Sequence, residues 1–200
     1  MNHTFQINLR GIIDLLSDHL YSSPEVFLRE LLQNGVDAIR ARQRLEPEHH
    51  GRVTISVVEA DDGRVELVFE DNGIGLTEEE THCFLATIGA SSKREEFAEQ
   101  RNDFIGQFGI GLLSCFMVSD EIVMVTRSAK EPGCVVEWRG RADGTYDTRR
   151  LDPDAQPFGT QVYLSCREGR ERLFQADEVA RLARHYGSML PFPIEVCAGQ

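Results

Sequence analysis

The apolar and polar positions of residues 22–42 predict a helix with two different faces. Ser23 is the predicted N-cap, and Pro24 suits the first helical position. The apolar side chains that recur at helical spacing would form the packed side, namely Leu28, Leu31, Leu32 and Ile39. Glu30, Asn34 and Asp37 project within about 60° of one another on a different side. One stripe of this helix therefore carries two carboxylates and a carboxamide.

The polar stripe has two interpretations. Charged faces are common on surface helices, so the stripe can be a solvated face. Gly35 favours the second interpretation, because a mid-helix glycine costs about 1 kcal/mol relative to alanine and can mark close approach by a ligand or another backbone. A carboxylate that polarises water, beside an amide oxygen that binds a hard cation, would then form a hydrolytic site.

The rest of the pattern is mostly that of strands. Residues 4–8 suggest a short strand and residues 9–20 a helix, while residues 52–60 and 64–70 alternate as strands joined by an Asp-Gly hairpin turn. Thr77 and Glu80 form a capping-box pattern that opens a helix. The elements predicted further along are strands over 121–128, 134–140, 144–150 and 159–165, a helix over 177–186 and an extended piece over 192–196.

This order of elements predicts an α+β fold. Hairpins form most of the chain, and the helices are grouped mainly early in it. A two-layer α/β sandwich buries both kinds of apolar surface, with a mixed, mostly antiparallel sheet covered on one face by helices.

Composition limits the class of partner. The 200 residues suit one domain, and 21 basic against 33 acidic residues give a net charge of −12, which argues against a nucleic-acid groove. The five cysteines are scattered with no CxxC pair, which favours a reduced, cytoplasmic setting. We see no secretory signal and no apolar run near the ~18 residues of a membrane span. We therefore expect a cytoplasmic protein that binds neither nucleic acid nor membrane.

Two glycine-rich loops add candidate chemistry. The loop over residues 71–75, DNGIG, can be merely a turn, or a place where a strand-end carboxylate accepts a hydrogen bond from an exocyclic amine while glycines admit a flat ring. The loop over residues 106–111, GQFGIG, precedes an apolar helical run to about Met117. It can be a hinge or a phosphate cradle of backbone amides. Its spacing fits neither a dinucleotide-binding fingerprint nor a P-loop.

Several motifs in order resemble the ATPase domain of the heat-shock protein 90 chaperone family, the bacterial HtpG type included: FLRELLQNGVDAIR, DNGIGLT, LATIGASS, IGQFGIGLLSCFMVSDEIVMVT and GTQVYL. The opening FQINLRGIIDLLSDHLYSSPEVFLREL and the late PFPIEV are similar to the two ends of that domain. The resemblance covers nearly the whole chain. It implies the fold of the GHKL group (gyrase, heat-shock chaperone, histidine kinase and MutL), with residues 1–200 as a single N-terminal domain and the middle and C-terminal domains absent.

The resemblance also implies roles for matching residues. Glu30 matches the general base that orients the attacking water, and Asn34 matches the residue that binds Mg²⁺ through its side-chain oxygen. Asp71 matches the carboxylate that receives the adenine amino group of ATP or ADP, with Gly73 and Gly75 beneath the base.

Other matches extend this nucleotide site. Thr160 matches the residue that supports adenine through water, and Asp37 matches a polar position near the adenine. The remaining implied nucleotide contacts are Leu76 and the residues that wrap the phosphates, Gly106, Gln107, Phe108, Gly109, Ile110 and Gly111. A mobile lid over about residues 88–111 would close on nucleotide.

Two positions depart from the family pattern. Ala90 stands where many relatives place a lysine that reaches the phosphates, with Lys93 nearby as a substitute, and Phe84 stands where an asparagine is common. We expect a slowly hydrolysing ATPase domain of a chaperone that binds client proteins. The full-length protein would be a homodimer and the isolated domain monomeric. The alternatives are a nucleotide-binding interaction module with little or no hydrolysis, and another GHKL-group ATPase.

Overall fold

The computed structural model describes residues 23–59, 63–86 and 111–198. The strands among these residues form one sheet and are β1 (Val53–Glu59), β2 (Val65–Asp71), β3 (Glu121–Arg127), β4 (Val135–Arg141), β5 (Tyr146–Leu151), β6 (Gly159–Ser165) and β7 (Ile194–Ala198). Their order is β5-β4-β3-β6-β2-β1-β7. The β1–β7 pair is parallel and the other neighbouring pairs are antiparallel, which confirms the predicted mixed, mostly antiparallel sheet.

The helices of the described residues are α1 (Val26–Leu45), α2 (Glu78–Ala86) and α3 (Ala176–Gly187), with 3₁₀ segments at Gly111–Met117, Pro153–Ala155 and Glu171–Phe174. The apolar run after the second glycine loop, predicted as helical, is thus a 3₁₀ segment. The predictions for residues 4–20, and for the lid up to residue 110, lie outside the described residues.

Strand register explains why one sheet face is buried. Directly paired residues point to the same face, so Met124, Val162, Phe69 and Ile55 form one row across β3, β6, β2 and β1. These four side chains belong to the same core as the apolar sides of α1 and α3. On α1, Phe27 stacks against Phe174 with ring centroids 6.4 Å apart. The helices therefore cover one face, as predicted.

Helix α1 follows its predicted pattern closely. The predicted packed residues Leu28, Leu31, Leu32 and Ile39 are all buried. The helix begins at Val26, and Ser23 accepts a 3.3 Å hydrogen bond from the Glu25 N–H before it. Ser23 thus satisfies a backbone donor at this end, although the regular helix starts later than predicted.

The predicted capping box opens α2. The Glu80 N–H donates to Thr77 Oγ1 at 3.1 Å, and the Thr77 N–H donates to a carboxylate oxygen of Glu80 at 2.9 Å. This reciprocal pair satisfies two backbone donors at the helix start. It fixes where the chain turns after the loop that follows β2.

Candidate functional site

The polar stripe of α1 lies at the border between packed and solvent-exposed sides. Glu30, Asn34 and Asp37 are each partly buried, whereas Arg29 and Gln33 are exposed. The Glu30 side chain keeps 23% of its surface accessible, and its Oε1 forms an ion pair with Arg29 Nη2 at 2.8 Å. The stripe is therefore not a fully solvated face, and Glu30 Oε2 is the oxygen outside that ion pair.

Glu30 lies against the end of the second glycine loop. A Cβ built on Gly111 would lie only 2.7 Å from Glu30 Oε2, so a glycine here leaves room for the carboxylate. Burial raises the pKa of the Cys115 thiol, and the negative charge of Glu30 raises it further. Both observations place the Glu30 carboxylate beside the segment Gly111–Met117.

Asp71 is a buried carboxylate at the end of β2. The residue is 6% exposed, and its Oδ1 accepts a 2.9 Å hydrogen bond from the Gly73 N–H. Burial raises the pKa of Asp71 to about 7, and the neighbouring charge of Glu70 adds to the rise, while backbone hydrogen bonds from Gly73 and Thr160 oppose it. A carboxylate held in such a place is a candidate for binding a hydrogen-bond donor of a ligand.

The first glycine loop is packed tightly between α1 and the sheet. A Cβ on Gly73 would lie 2.6 Å from Ala38 of α1, and a Cβ on Gly75 would lie 2.0 Å from the carbonyl oxygen of Arg127. Gly75 also has a φ of +67°, a conformation that favours glycine. The protein's own backbone therefore makes both close approaches described here, and contact of these glycines with a base stays a prediction.

Gly35 marks the same close packing from the helix side. A Cβ there would lie 3.1 Å from the Phe69 ring and 3.4 Å from Cβ of Asp71. The glycine lets α1 lie close to β2. This brings the helix that carries Glu30 and Asn34 near the strand that carries Asp71.

Sequence reasoning missed Thr126 on β3. Its side chain is fully buried, and its hydroxyl contacts the Leu76 N–H at 2.9 Å, Thr160 Oγ1 at 3.0 Å and the Gly159 carbonyl oxygen at 3.2 Å. Only the alternation of β3 pointed to this residue, because it placed Thr126 on the same face as Met124. No motif in the sequence indicated that its hydroxyl joins two predicted site residues.

Strand register aligns this part of the site. Thr126 is paired with Thr160, and Thr160 is paired with Asp71, so the three side chains form one row across β3, β6 and β2. The structure thus brings together Asp71, Thr160 and the Leu76 backbone.

Of the other predicted site residues, the structure describes some and leaves others outside the described ranges. Asp37 lies on α1, where its carboxylate accepts a 3.0 Å hydrogen bond from Gln33 Nε2. Gly106, Gln107, Phe108, Gly109 and Ile110 lie outside the described residues, as do Ala90 and Lys93, and the side chain of Phe84 is not described. Their predicted contacts with nucleotide remain predictions.

Binding of Mg²⁺ by Asn34 stays a prediction. Mg²⁺ usually keeps several waters and binds one or two protein groups together with substrate phosphates. Asn34 is partly exposed one helical turn from Glu30, so its side-chain oxygen would face the same space. Among the described residues, no group of three His, Cys, Asp or Glu side chains could hold a metal ion.

Comparison with known sequences decides the family. Residues 21–157 match the family described as histidine kinase-, DNA gyrase B-, and HSP90-like ATPase. The chain belongs to this family. The match confirms the resemblance stated above, and the sheet covered by helices on one face is the fold expected for this ATPase family.

Curated relatives in this ATPase family carry the name chaperone protein HtpG. The protein from Chlorobium phaeobacteroides is 30% identical over 209 residues, which cover 96% of this chain and 32% of that protein. The Chlorobium luteolum protein is 31% identical over 202 residues (95% and 32%), and the Chromobacterium violaceum protein is 30% identical over 207 residues (98% and 32%). The chain thus spans about a third of the length of these relatives. None of the described helices is both long and apolar enough to cross a membrane.

Proposed function

We propose that this chain is the ATP-binding domain of an HSP90-like molecular chaperone and that it hydrolyses ATP slowly. The observation that carries this proposal is the buried Asp71 carboxylate, which lies in one row with Thr160 and close to Gly35 of α1. The similarity to HtpG chaperones over 95% or more of the chain supports the chaperone assignment.

The base would bind at the sheet end of the site. Asp71 would accept a hydrogen bond from the adenine amino group, and Thr160 would contact the ring edge beside it. Asp71 is well suited to this role because its carboxylate is largely shielded from water, which strengthens a hydrogen bond to a donor in the ligand. Leu76 and the glycines of its loop would form the wall next to the base.

The phosphates would lie toward the N-terminal half of α1. Asn34 would hold Mg²⁺ through its side-chain oxygen, and the ion would neutralise phosphate charge. Glu30 Oε2, outside the ion pair with Arg29, would accept a hydrogen bond from the attacking water and orient it. The backbone of residues 106–111 would wrap the phosphates, and closure of residues 88–111 would shield them.

The proposed assembly follows from the resemblance to the heat-shock protein 90 chaperone family. We infer that the full-length chaperone would act on client proteins as a cytoplasmic homodimer and that this domain by itself would be monomeric. We expect no nucleic-acid partner, because the net charge of −12 repels phosphate backbones.

Single-turnover hydrolysis tests the catalytic part. With the protein in excess over radiolabelled ATP and Mg²⁺, the unmodified chain should release phosphate slowly. Glu30→Gln should bind ADP within about twofold of the unmodified chain yet lose on the order of 100-fold in the rate, since it removes the base. Equal rates in the two proteins would refute the assignment of Glu30.

A further inference from the structure

A buried hydroxyl of β3 joins parts of the site that the motifs do not connect. Thr126 is 0% exposed, so it does not reach a ligand in the site. Its Oγ1 accepts a 2.9 Å hydrogen bond from the Leu76 N–H, and this ties the loop after β2 to β3. That contact uses one lone pair of the hydroxyl and leaves its proton for another partner.

The proton of Thr126 has two acceptors within reach. Thr160 Oγ1 lies at 3.0 Å and the Gly159 carbonyl oxygen lies at 3.2 Å. If Thr126 donates to Thr160, the proton of Thr160 is free to point into the site. If Thr160 donates to Thr126 instead, Thr160 offers the site only lone pairs. The direction of this one hydrogen bond therefore sets whether Thr160 is a donor or an acceptor toward a ligand.

The hydrogen bond between the two hydroxyls can run either way in the structure, and the chemistry of the proposed ligand favours one direction. Thr126, Thr160 and Asp71 are successive partners in one register row, and Thr160 is the partly exposed member between two buried ones. An ionised Asp71 can only accept hydrogen bonds. An acceptor beside a donor complements the adenine edge, where the exocyclic amino group donates and ring nitrogen N1 accepts.

We propose that Thr126 is a positioning residue that aims the Thr160 hydroxyl, as a donor, at N1 of the bound adenine, directly or through one water. The inference rests on the proposed nucleotide binding and adds to it a determinant of base recognition. Thr126 acts only through Thr160 and the Leu76 backbone, and it does not touch the nucleotide.

Calorimetric titration with two ligands in Mg²⁺ tests this role. The ligands are ADP and 1-deaza-ADP, in which a C–H replaces N1. The proteins are the unmodified chain, Thr126→Val, Thr126→Ser, Thr160→Val and the double valine variant. Thr126→Val should weaken ADP binding about tenfold, the effect of one hydrogen bond to a buried group, while Thr126→Ser should stay within about twofold because it keeps the hydroxyl.

The two ligands separate positioning from loss of structure. Thr126→Val should weaken 1-deaza-ADP less than about threefold, because that ligand has no acceptor at this place. The double valine variant should bind ADP no more than about threefold worse than either single variant, since the two hydroxyls act in series. Circular dichroism checks the folding of each variant.

Several outcomes would overturn the inference. These are ADP binding by Thr126→Val that equals that of the unmodified chain, equal weakening of both ligands, or independent effects of the two valine substitutions. If Thr126→Val does not fold, Thr126→Cys replaces it, and equal loss of both ligands in Thr160→Val would still refute the donor role. Absence of ADP binding by the unmodified chain would overturn the proposed function itself, which distinguishes that failure from the others.

Discussion

Replacing Asp71 with asparagine should stabilise the folded chain at high pH even though it removes the proposed base contact. In the unmodified chain, Asp71 Oδ1 accepts a 2.9 Å hydrogen bond from the Gly73 N–H. Asparagine keeps the shape of the side chain and an oxygen that can accept this hydrogen bond. It removes the charge of a residue that is only 6% exposed. Ionising a buried carboxylate is unfavourable, and the amide has no such penalty.

The raised pKa of Asp71 sets how much the free energy of unfolding depends on pH. Burial raises this pKa from 3.8 to about 7 in the folded chain. The folded state therefore binds the proton of Asp71 more tightly than the unfolded state does. The contribution of this proton to the free energy of unfolding is fully present below about pH 4 and is lost as the pH rises through about 7. At about 1.36 kcal/mol for each pKa unit, the loss is about 4 kcal/mol, and more than half of it falls between pH 5 and pH 8.

Urea unfolding at pH 5 and at pH 8 measures this change in the free energy of unfolding. The single tryptophan of the chain, Trp138, is buried and reports unfolding by fluorescence. Relative to the unmodified chain, Asp71→Asn should gain roughly 2 to 3 kcal/mol between pH 5 and pH 8. Glu66→Gln is the control, because it removes one charge from a partly exposed position earlier on β2. A stability difference for Asp71→Asn that is the same at both pH values would refute the reasoning.

Two further substitutions test the loop and the helix after it. Gly75→Ala should destabilise the fold by about 3 kcal/mol or more, because its φ is +67° and the new Cβ would lie 2.0 Å from the Arg127 carbonyl oxygen. Gly169→Ala, with a φ of +77° but open space, should lose only about 1 kcal/mol in urea unfolding, and equal losses would contradict the packing argument. Thr77→Ala should lose about 1 kcal/mol by removing the capping box, whereas the exposed Glu79→Ala should change little, and thermal unfolding compares the pair.

The sequence pattern predicted the elements that are determined by residues close together in the chain. The α1 stripe, the β1–β2 hairpin and the Thr77–Glu80 capping box each depend on residues a few positions apart. The 3₁₀ form of Gly111–Met117 was not predictable in this way. Every residue from Leu112 to Met117 is buried, so this segment has no polar face whose spacing could separate 3.0 from 3.6 residues per turn.

Long-range contacts explain what the sequence could not supply. The glycines at 73 and 75 suggested room for a flat ring, but their close neighbours are Ala38 and Arg127, which are distant in sequence. The role of Thr126 was not predicted for the same reason, because its hydroxyl contacts the Leu76 N–H and the Thr160 hydroxyl only when β3 is paired with β6. A single sequence carries no signal for contacts between residues far apart in the chain. The row of Thr126, Thr160 and Asp71 is therefore seen only in the folded structure.

Calorimetric titration of the chain with ADP and Mg²⁺ tests the central claim most directly. The unmodified chain should bind one ADP, Asp71→Asn should bind none, and the control Glu66→Gln should bind as the unmodified chain does. Because an ionised carboxylate accepts a hydrogen bond from the adenine amino group more strongly than a protonated one, and the pKa of Asp71 is about 7, affinity should be lower at pH 6 than at pH 8, by up to about tenfold. Equal binding by Asp71→Asn, or no binding by the unmodified chain, would contradict the account.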